Sequence, residues 1–199
     1  MKNLSKKGAA TRQAILESAR KAFTQSGYDV GVREIAENAG VTAMLVNRYF
    51  GSKDQLFEDV IDLVLSAPGI LTRQTMTKAL DVPTLCQEIA AALVARTASD
   101  VTPMDGFLIM LRSSNNEQAM GILRGKFETH FARPLTQMLP GEEASQRAAM
   151  FLAVIAGFQV MRQIVEIAGL TQVPPDQLVQ QLEAIFELLV KGRSVVVPK

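Results

Sequence analysis

The apolar residues of this chain recur at intervals of three and four along most of its length, whereas the alternation typical of β-strands is nearly absent. In residues 11–27, Ile15, Ala19, Ala22 and Phe23 share one helical face, and Gly27 follows as a C-terminal stop. Comparable patterns continue to residue 191 and amount to about nine helices. The spacing therefore predicts an all-α fold.

Composition limits the cellular setting. Of the 199 residues, 48% are hydrophobic and 21% are charged, which is enough to build a core. The single cysteine, Cys86, cannot form an internal disulfide, as suits a reducing cytosol. No apolar signal segment begins the chain, and the apolar stretches are interrupted before about 18 residues. We therefore expect a cytoplasmic protein without a membrane-spanning helix.

The charges are distributed unevenly, although the net charge is only +1. Residues 1–53 contain nine Lys or Arg against four acids, whereas residues 54–199 contain twelve against sixteen. A basic end on an acidic body is compatible with a polyanionic partner at that end, and equally with a solubilising face.

Two short helices joined by a glycine turn are predicted in residues 31–50. Gly31 can precede a helix that places Val32, Ile35 and Ala36 inward, Gly40 ends it, and Thr42 can cap a helix to Phe50. The SKDQ sequence of residues 52–55 is a capping box that begins a fourth helix. Further helices are predicted at 83–98, from 102, at 114–139, at 142–169 and at 176–191, with a loose tail at 194–199. The two short helices of residues 31–50 resemble a helix-turn-helix, a motif whose second helix enters the major groove of DNA.

The predicted second helix of this motif has distinct inner and outer faces. Val46 and Phe50 can face the core, so residues 43–45 and 47–49 point largely outward. Apolar side chains suit thymine methyl groups, Asn47 suits adenine or phosphate, and Arg48 suits guanine or phosphate. Tyr49 and Lys53 suit the phosphate backbone, and Lys2, Lys6 and Lys7 form a basic arm. The predicted DNA contacts are Lys6, Lys7, Arg33, Thr42, Ala43, Met44, Leu45, Asn47, Arg48, Tyr49 and Lys53.

Plainer interpretations exist for each part of this prediction. The three helices also fit a generic helical core, Asn47 and Arg48 also fit a solvated surface, and the lysine arm also fits a solubilising tail. His130 and Cys86 fit ordinary structural roles better than metal or redox roles. We predict no metal site and no cofactor.

Residues 11–57, which contain TRQAILESARKAFTQSGY, VREIAENAGVTAMLVNRYF and GSKDQLF, resemble the DNA-binding domain of the tetracycline-repressor (TetR) family of bacterial transcription factors. The resemblance implies a homodimeric repressor that binds a palindromic operator and is released by a small molecule. Two features depart from the family pattern. Asn47 stands where the family usually has a phosphate-binding Tyr, and Gly31 stands where Ser or Thr usually caps, in a stretch that is about one residue short.

The resemblance also implies a division into a DNA-binding domain, residues 1–53, and a ligand-binding and dimerisation domain, residues 54–199. Because family bodies usually hold a cavity, Met- and Phe-rich segments are candidates for an apolar effector pocket. The predicted pocket residues are Met104, Phe107, Leu108, Leu111, Arg112, Asn116, Phe127, Phe131, Gln159 and Arg162.

The helices predicted at 142–169 and 176–191 are candidates for a four-helix dimer interface, because the first is apolar on more than one side. The predicted interface residues are Phe151, Ile155, Phe158, Leu182, Ile185, Phe186 and Leu189. An all-α enzyme is disfavoured, because the sequence lacks a paired nucleophile and base, a metal cluster and a phosphate loop. A helical interaction module that does not bind DNA is the remaining alternative.

Overall fold

The computed structural model describes residues 6–66, 69–71, 82–98 and 104–192, and the described residues are helical without β-strands. The first four helices are α1 (Lys6–Ser26), α2 (Val32–Asn38), α3 (Ala43–Phe50) and α4 (Lys53–Ser66). They are followed by α5 (Val82–Arg96) and α6 (Asp105–Arg112). Helix α7 runs from Glu117–Phe127 through a π-helical turn, Glu128–Ala132, into Arg133–Met138. Helix α8 runs from Ala144–Gln159 into a second π-helical turn, Val160–Ile164, and α9 (Ala168–Thr171) and α10 (Pro175–Lys191) complete the set. The all-α prediction is confirmed.

Contacts divide the chain into two compact units, and the division is not a single cut. Unit 1 comprises residues 1–67 and 104–126, and unit 2 comprises residues 68–103 and 127–199. Helix α6 and the first part of α7 therefore pack with α1–α4. The predicted domain boundary after residue 53 stays a prediction.

The core of unit 1 forms because each of its helices buries one apolar face. The predicted positions Ile15, Ala19, Ala22 and Phe23 of α1 are buried, together with Ile35 and Ala36 of α2. Phe23, Tyr28 and Phe57 form an aromatic cluster in which the Phe57 ring meets each of the other two edge-on at 5.0 Å. The Ser18 hydroxyl donates to the Ile35 carbonyl at 2.8 Å and fixes α2 on α1. Burial and this hydrogen bond together hold α2 at a defined place on α1.

Unit 2 has a separate core between α5, the end of α7, α8 and α10. Its central contact is the stacked pair Phe151 and Phe186, with ring centroids 4.2 Å apart and both side chains fully buried. Cys86 and Leu93 of α5 are also fully buried there. The predicted structural role of Cys86 fits this position, because the thiol is enclosed by apolar neighbours.

Several helix boundaries differ from the predictions. The prediction of a continuous helix at 142–169 is wrong. The observed helix begins at Ala144 and is interrupted after Ile164, and Glu166 adopts a left-handed φ of 55°. Helix α1 begins at Lys6, so Lys6 and Lys7 are helical and not parts of a flexible arm. Helix α7 is capped by Asn116, whose Oδ1 accepts from the Ala119 amide at 3.0 Å, and not by Ser114. The predicted tail at 194–199, the start at Thr102 and Lys2 lie outside the described residues.

Helix α8 and its π-helical turn also qualify, by length and composition alone, as a membrane span: Ala144–Ile164 has a mean hydropathy of 1.2. This differs from the sequence expectation, which counted uninterrupted apolar residues. The core helix of a soluble protein can meet the same two criteria, and Phe151 and Ile155 of α8 lie in the core of unit 2.

Candidate nucleic-acid interface

Helices α2 and α3 are joined by a tight turn that glycine makes possible. Gly40 has a φ of +67°, a left-handed conformation that costs residues with a side chain about 1–2 kcal/mol. The Val41 amide donates back to the Ala36 carbonyl at 2.9 Å and closes the turn. At the start of α3, the Thr42 side chain accepts from the Leu45 amide at 3.3 Å, so Thr42 is the N-cap. Gly31 precedes α2 with no side-chain cap.

Helix α3 turns one face inward and one outward. Val46 and Phe50 are buried, as predicted, and they attach the helix to the core. Met44 is 81% exposed, and Asn47 and Arg48 are also exposed. The predicted outward residues Ala43, Leu45 and Tyr49 are only half-buried, so they lie at the flanks of this face. The outermost surface of α3 therefore offers a thioether, an amide and a guanidinium.

The buried side of α3 is supported by an arginine that the sequence analysis did not single out. The Arg12 guanidinium lies 4.7 Å from the centre of the Phe50 ring and forms an ion pair with Asp59. A cation on an aromatic face contributes about 0.5–1 kcal/mol at exposed sites. Arg12 thus connects α1, α3 and α4. Nothing in the sequence indicated that Arg12 connects these helices, because the connection depends on how the three helices pack.

The cations among the predicted phosphate contacts lie in the first turns of α1, α2 and α4. Arg33 is exposed in the first turn of α2, and Lys6 and Lys7 are exposed in the first turn of α1. Ser52 accepts from the Gln55 amide at 3.1 Å, which confirms the capping position at the start of α4. Lys53 follows, and its Nζ lies 4.4 Å from the centre of the Tyr28 ring. These cations lie at helix starts, where amides and side chains can both meet an anion.

The surroundings of Lys53 hold it in place without neutralising it. Partial burial lowers the pKa of Lys53, and the nearby carboxylates of Asp29 and Asp54 oppose that shift. Burial, followed by the hydrogen bond to Asp54, raises the pKa of Tyr28 to about 12. The phenol donates a hydrogen bond to the Asp54 carboxylate.

The predicted pocket residues fall in both units and stay a prediction. Met104, Phe107, Leu108, Leu111, Arg112 and Asn116 belong to unit 1, and Phe127, Phe131, Gln159 and Arg162 belong to unit 2.

Three of the polar candidates for the pocket already have partners within their own unit. Arg112 donates to the Thr24 carbonyl, and Asn116 donates to Asp29 at 2.9 Å. Arg162 donates to the Val94 carbonyl at 2.6 Å and to the Thr97 hydroxyl at 2.9 Å. A groove of about 490 Å³ between α1 and the end of α2 is lined by none of the predicted residues.

The predicted dimer residues divide by burial. Phe151, Ile155, Leu182 and Phe186 are between 0% and 7% exposed and lie in the core of unit 2, so they offer a second copy little or no surface and their assignment to the interface is corrected. Phe158 and Leu189 are half-buried, and Ile185 is 43% exposed. The sequence pattern could not separate these groups, because α8 is apolar on more than one side and the apolar stripe of α10 is wider than its buried part.

Within residues 6–66, 69–71, 82–98 and 104–192, no group of three or more His, Cys, Asp and Glu side chains could hold a metal ion. The exposed outer face of α3 is the feature of this helix-turn-helix that calls for an explanation, and in motifs of this type the second helix enters the major groove of DNA.

Comparison with known families agrees with that geometry. Residues 15–60 match the model of bacterial regulatory proteins of the tetR family, and residues 82–190 match the tetracyclin repressor-like C-terminal domain. The chain therefore belongs to the TetR family, whose members are DNA-binding transcriptional regulators and not enzymes.

Individual relatives show how far the similarity extends. The regulatory protein RaaS of Mycobacterium tuberculosis is 48% identical over 50 residues, which are 25% of this chain and 24% of that protein. The match thus spans about a quarter of that relative. A TetR-family regulator from Streptomyces coelicolor A3 has the same fold, with a TM-score of 0.65 and 22% identity over 96% of this chain and 100% of that one.

Two further solved structures share the fold. NalD of Pseudomonas aeruginosa, the secondary repressor of the MexAB-OprM multidrug efflux pump, has a TM-score of 0.63 and 20% identity over 89% of this chain and 95% of its own. The fatty acid degradation regulator FadR of Bacillus halodurans has a TM-score of 0.61 and 18% identity over 91% and 98% of the two chains.

Proposed function

We propose that this regulator is a cytoplasmic, homodimeric repressor that reads a palindromic operator through α3 and is released by a small, largely apolar effector. The observation that carries the proposal is the outer face of α3, where Met44, Asn47 and Arg48 are exposed on a helix whose other side is fixed in the core.

Base reading is assigned to these three side chains by their chemistry. The Met44 side chain suits a thymine methyl group, Asn47 suits the N6 and N7 positions of adenine, and Arg48 suits the O6 and N7 positions of guanine. Ala43 and Leu45 are assigned to the flanks of the base contact. Asn47 is one of the two positions where the chain departs from the family pattern, so the operator preference at the base that it contacts is expected to be peculiar to this protein.

Phosphate binding is assigned to residues around the reading helix. Thr42 caps this helix and Tyr49 belongs to it, Arg33 and Lys53 lie in the first turns of α2 and α4, and Lys6 and Lys7 add charge at the start of α1. Contacts of this kind position the protein and make its affinity depend on salt, because each neutralised phosphate releases counterions.

The experiment is footprinting on genomic DNA followed by binding measurements on the protected fragment. Arg48→Ala should reduce discrimination against substituted guanines by about 1–3 kcal/mol for each lost base contact. Arg124→Ala, which removes the same charge from an exposed position of α7, is the matched control and should retain it. If Arg48→Ala discriminates as well as the control does, Arg48 is not a reader.

Dimerisation is assigned to the outer faces of α8 and α10. Met150, Met161 and Ile164 of the first, and Ile185 and Leu188 of the second, are each between 43% and 53% exposed in the single chain. A surface this apolar is typical of an interface. Closed twofold symmetry would place two reading helices about 34–36 Å apart, one turn of DNA.

The dimer can be tested apart from DNA binding. Leu188→Asp should shift the sedimentation coefficient from dimer to monomer and weaken operator binding, because a charge would be buried without a partner. Gln181→Asp, on an exposed polar position of α10, is the control. A wild-type protein that sediments as a monomer at micromolar concentration would contradict the assignment.

Release by an effector is proposed as a population shift towards a state with low operator affinity. The relatives NalD and FadR, a repressor of a multidrug efflux pump and a regulator of fatty acid degradation, support testing apolar compounds first. An effector that binds tightly but leaves operator affinity unchanged would contradict this part of the proposal, because it would not distinguish the two states.

A further inference from the structure

Lys53 has two neighbouring carboxylates, those of Asp29 and Asp54. Asp29 and Asp54 are close enough to raise its pKa, yet within the described ranges no ion pair joins Lys53 to a carboxylate. The ammonium group instead lies on the face of the Tyr28 ring, 4.4 Å from its centre. A lysine with two neighbouring carboxylates would ordinarily be expected to turn towards one of them.

Side chains from α7 and from the segment just before it account for this arrangement. Asn116 donates from Nδ2 to Oδ1 of Asp29 at 2.9 Å. Gln118 donates from Nε2 to Oδ2 of Asp54, whose Oδ1 accepts from the Tyr28 hydroxyl. Each oxygen of Asp54 therefore accepts one hydrogen bond from a neutral donor, and one oxygen of Asp29 does so as well.

Occupied carboxylates compete less well for an ammonium group. A hydrogen bond to a charged acceptor is stronger than a neutral one, and it fixes the direction in which the carboxylate points. As long as the amides hold both acids, Lys53 keeps its charge available to an external anion. If the amides of Asn116 and Gln118 move away, an oxygen of each carboxylate loses its hydrogen bond and can pair with the Lys53 ammonium group.

We propose that Gln118, assisted by Asn116, is a positioning residue for DNA binding: it holds Asp54 away from Lys53 and so keeps Lys53 free for a phosphate. This inference rests on the proposed phosphate contact of Lys53. It also identifies a route of regulation, because Gln118 lies in the region that matches the C-terminal family model while packing in unit 1. A shift of α7 that withdraws the Gln118 amide would let Asp54 neutralise Lys53 and remove a phosphate contact.

The test is Gln118→Leu, with binding to the footprinted operator fragment measured by fluorescence anisotropy between about 50 and 200 mM salt. Gln118 is exposed, so the fold is expected to survive. Operator affinity should fall about fivefold to tenfold, and the slope of log affinity against log salt should decrease by about 0.9 for each subunit. Adding Asp54→Asn to Gln118→Leu should restore both quantities, because the freed acid would no longer carry a charge.

Lys126→Met is the matched control. Lys126 joins α7 to α4 through Asp62 at 2.8 Å and Glu58 at 3.4 Å, so its loss weakens the same helix contact without touching Lys53. It should leave the salt slope unchanged. If Gln118→Leu weakens binding but Asp54→Asn does not restore it, Gln118 is merely structural and the inference is overturned.

Lys53→Ala separates the inference from the function on which it rests. If Lys53→Ala lowers the salt slope but Gln118→Leu does not, Lys53 contacts a phosphate and only the positioning role is overturned. If Lys53→Ala leaves the slope unchanged, the phosphate contact itself is wrong, and the inference falls with it.

Discussion

Among the left-handed glycines of the described residues, Gly27, Gly40, Gly51, Gly141 and Gly192, replacement by alanine should destabilise the protein most at Gly27. Gly27 ends α1 with a φ of +70°, which costs a residue with a side chain about 1–2 kcal/mol. An added Cβ would also collide with the carbonyl oxygen of Arg112 and lie 2.6 Å from the carbonyl carbon of that residue. Both atoms belong to the backbone at the end of α6, so relief requires a helix to move. Forced overpacking of this kind costs a further 1–3 kcal/mol, roughly.

Gly40→Ala is the matched control for this prediction. Gly40 has nearly the same φ, +67°, but an added Cβ would meet nothing within 4 Å. The control should therefore lose about 1–2 kcal/mol and Gly27→Ala about 2–5 kcal/mol, measured by urea unfolding with circular dichroism at the helix band. Equal unfolding midpoints for the two variants would refute the argument, because they would show that α6 does not press against Gly27.

Two further predictions concern unit 2. Phe186→Ala should cost about 3–5 kcal/mol of unfolding free energy in the same assay, because it removes a fully buried ring stacked on Phe151; wild-type stability would exclude Phe186 from the core. Burial raises the pKa of Cys86 from 9.0 to about 11, so the thiol of the folded protein should resist a thiol reagent at pH 8 and react once the chain is unfolded. The thiol of the unfolded chain ionises at lower pH than the thiol of the folded protein. The stabilisation by Cys86, measured relative to Cys86→Ala, should therefore be complete below about pH 9 and disappear as the pH rises towards 11. Parallel profiles of unfolding free energy against pH for the two proteins would contradict this.

The sequence was sufficient to predict the local structure of the helix-turn-helix and of the start of α4. Thr42 and Ser52 both cap helices as predicted, and Val46 and Phe50 both face the core. These features depend on residues three or four positions apart, so their geometry follows from the helical repeat. The same reasoning placed Met44, Asn47 and Arg48 on the outer face.

Features that depend on distant parts of the chain were not predictable in this way. The hydrogen bond from Gln118 to Asp54 joins residues 64 positions apart, and the ion pair of Arg12 with Asp59 joins residues 47 apart. The buried and exposed sides of α8 and α10 also escaped prediction. Apolar residues cover more of each helix than its buried side, and only packing shows that Phe186 faces inward while Leu188 faces outward.

The start of α1 illustrates a milder difference. A helix from Thr11 was predicted, since apolar periodicity is visible only from Ile15 onward, yet α1 begins at Lys6. Polar residues continue a helix once its first turns are packed, because elongation is easier than nucleation. Lys6 and Lys7 therefore carry their charge on an ordered helix.

The composition of unit 1 has a practical consequence for building hybrid regulators. Because residues 104–126 pack with residues 1–67, a graft that exchanges everything after the fourth helix would remove the helices that cover α1 and α4 and that hold Asp29 and Asp54. A working chimera of this protein would need one junction before α5, one after it and a third after Lys126. The helix-turn-helix would then be transferred together with α6 and the first part of α7. The order of residues along the chain therefore does not show which segments can be exchanged independently.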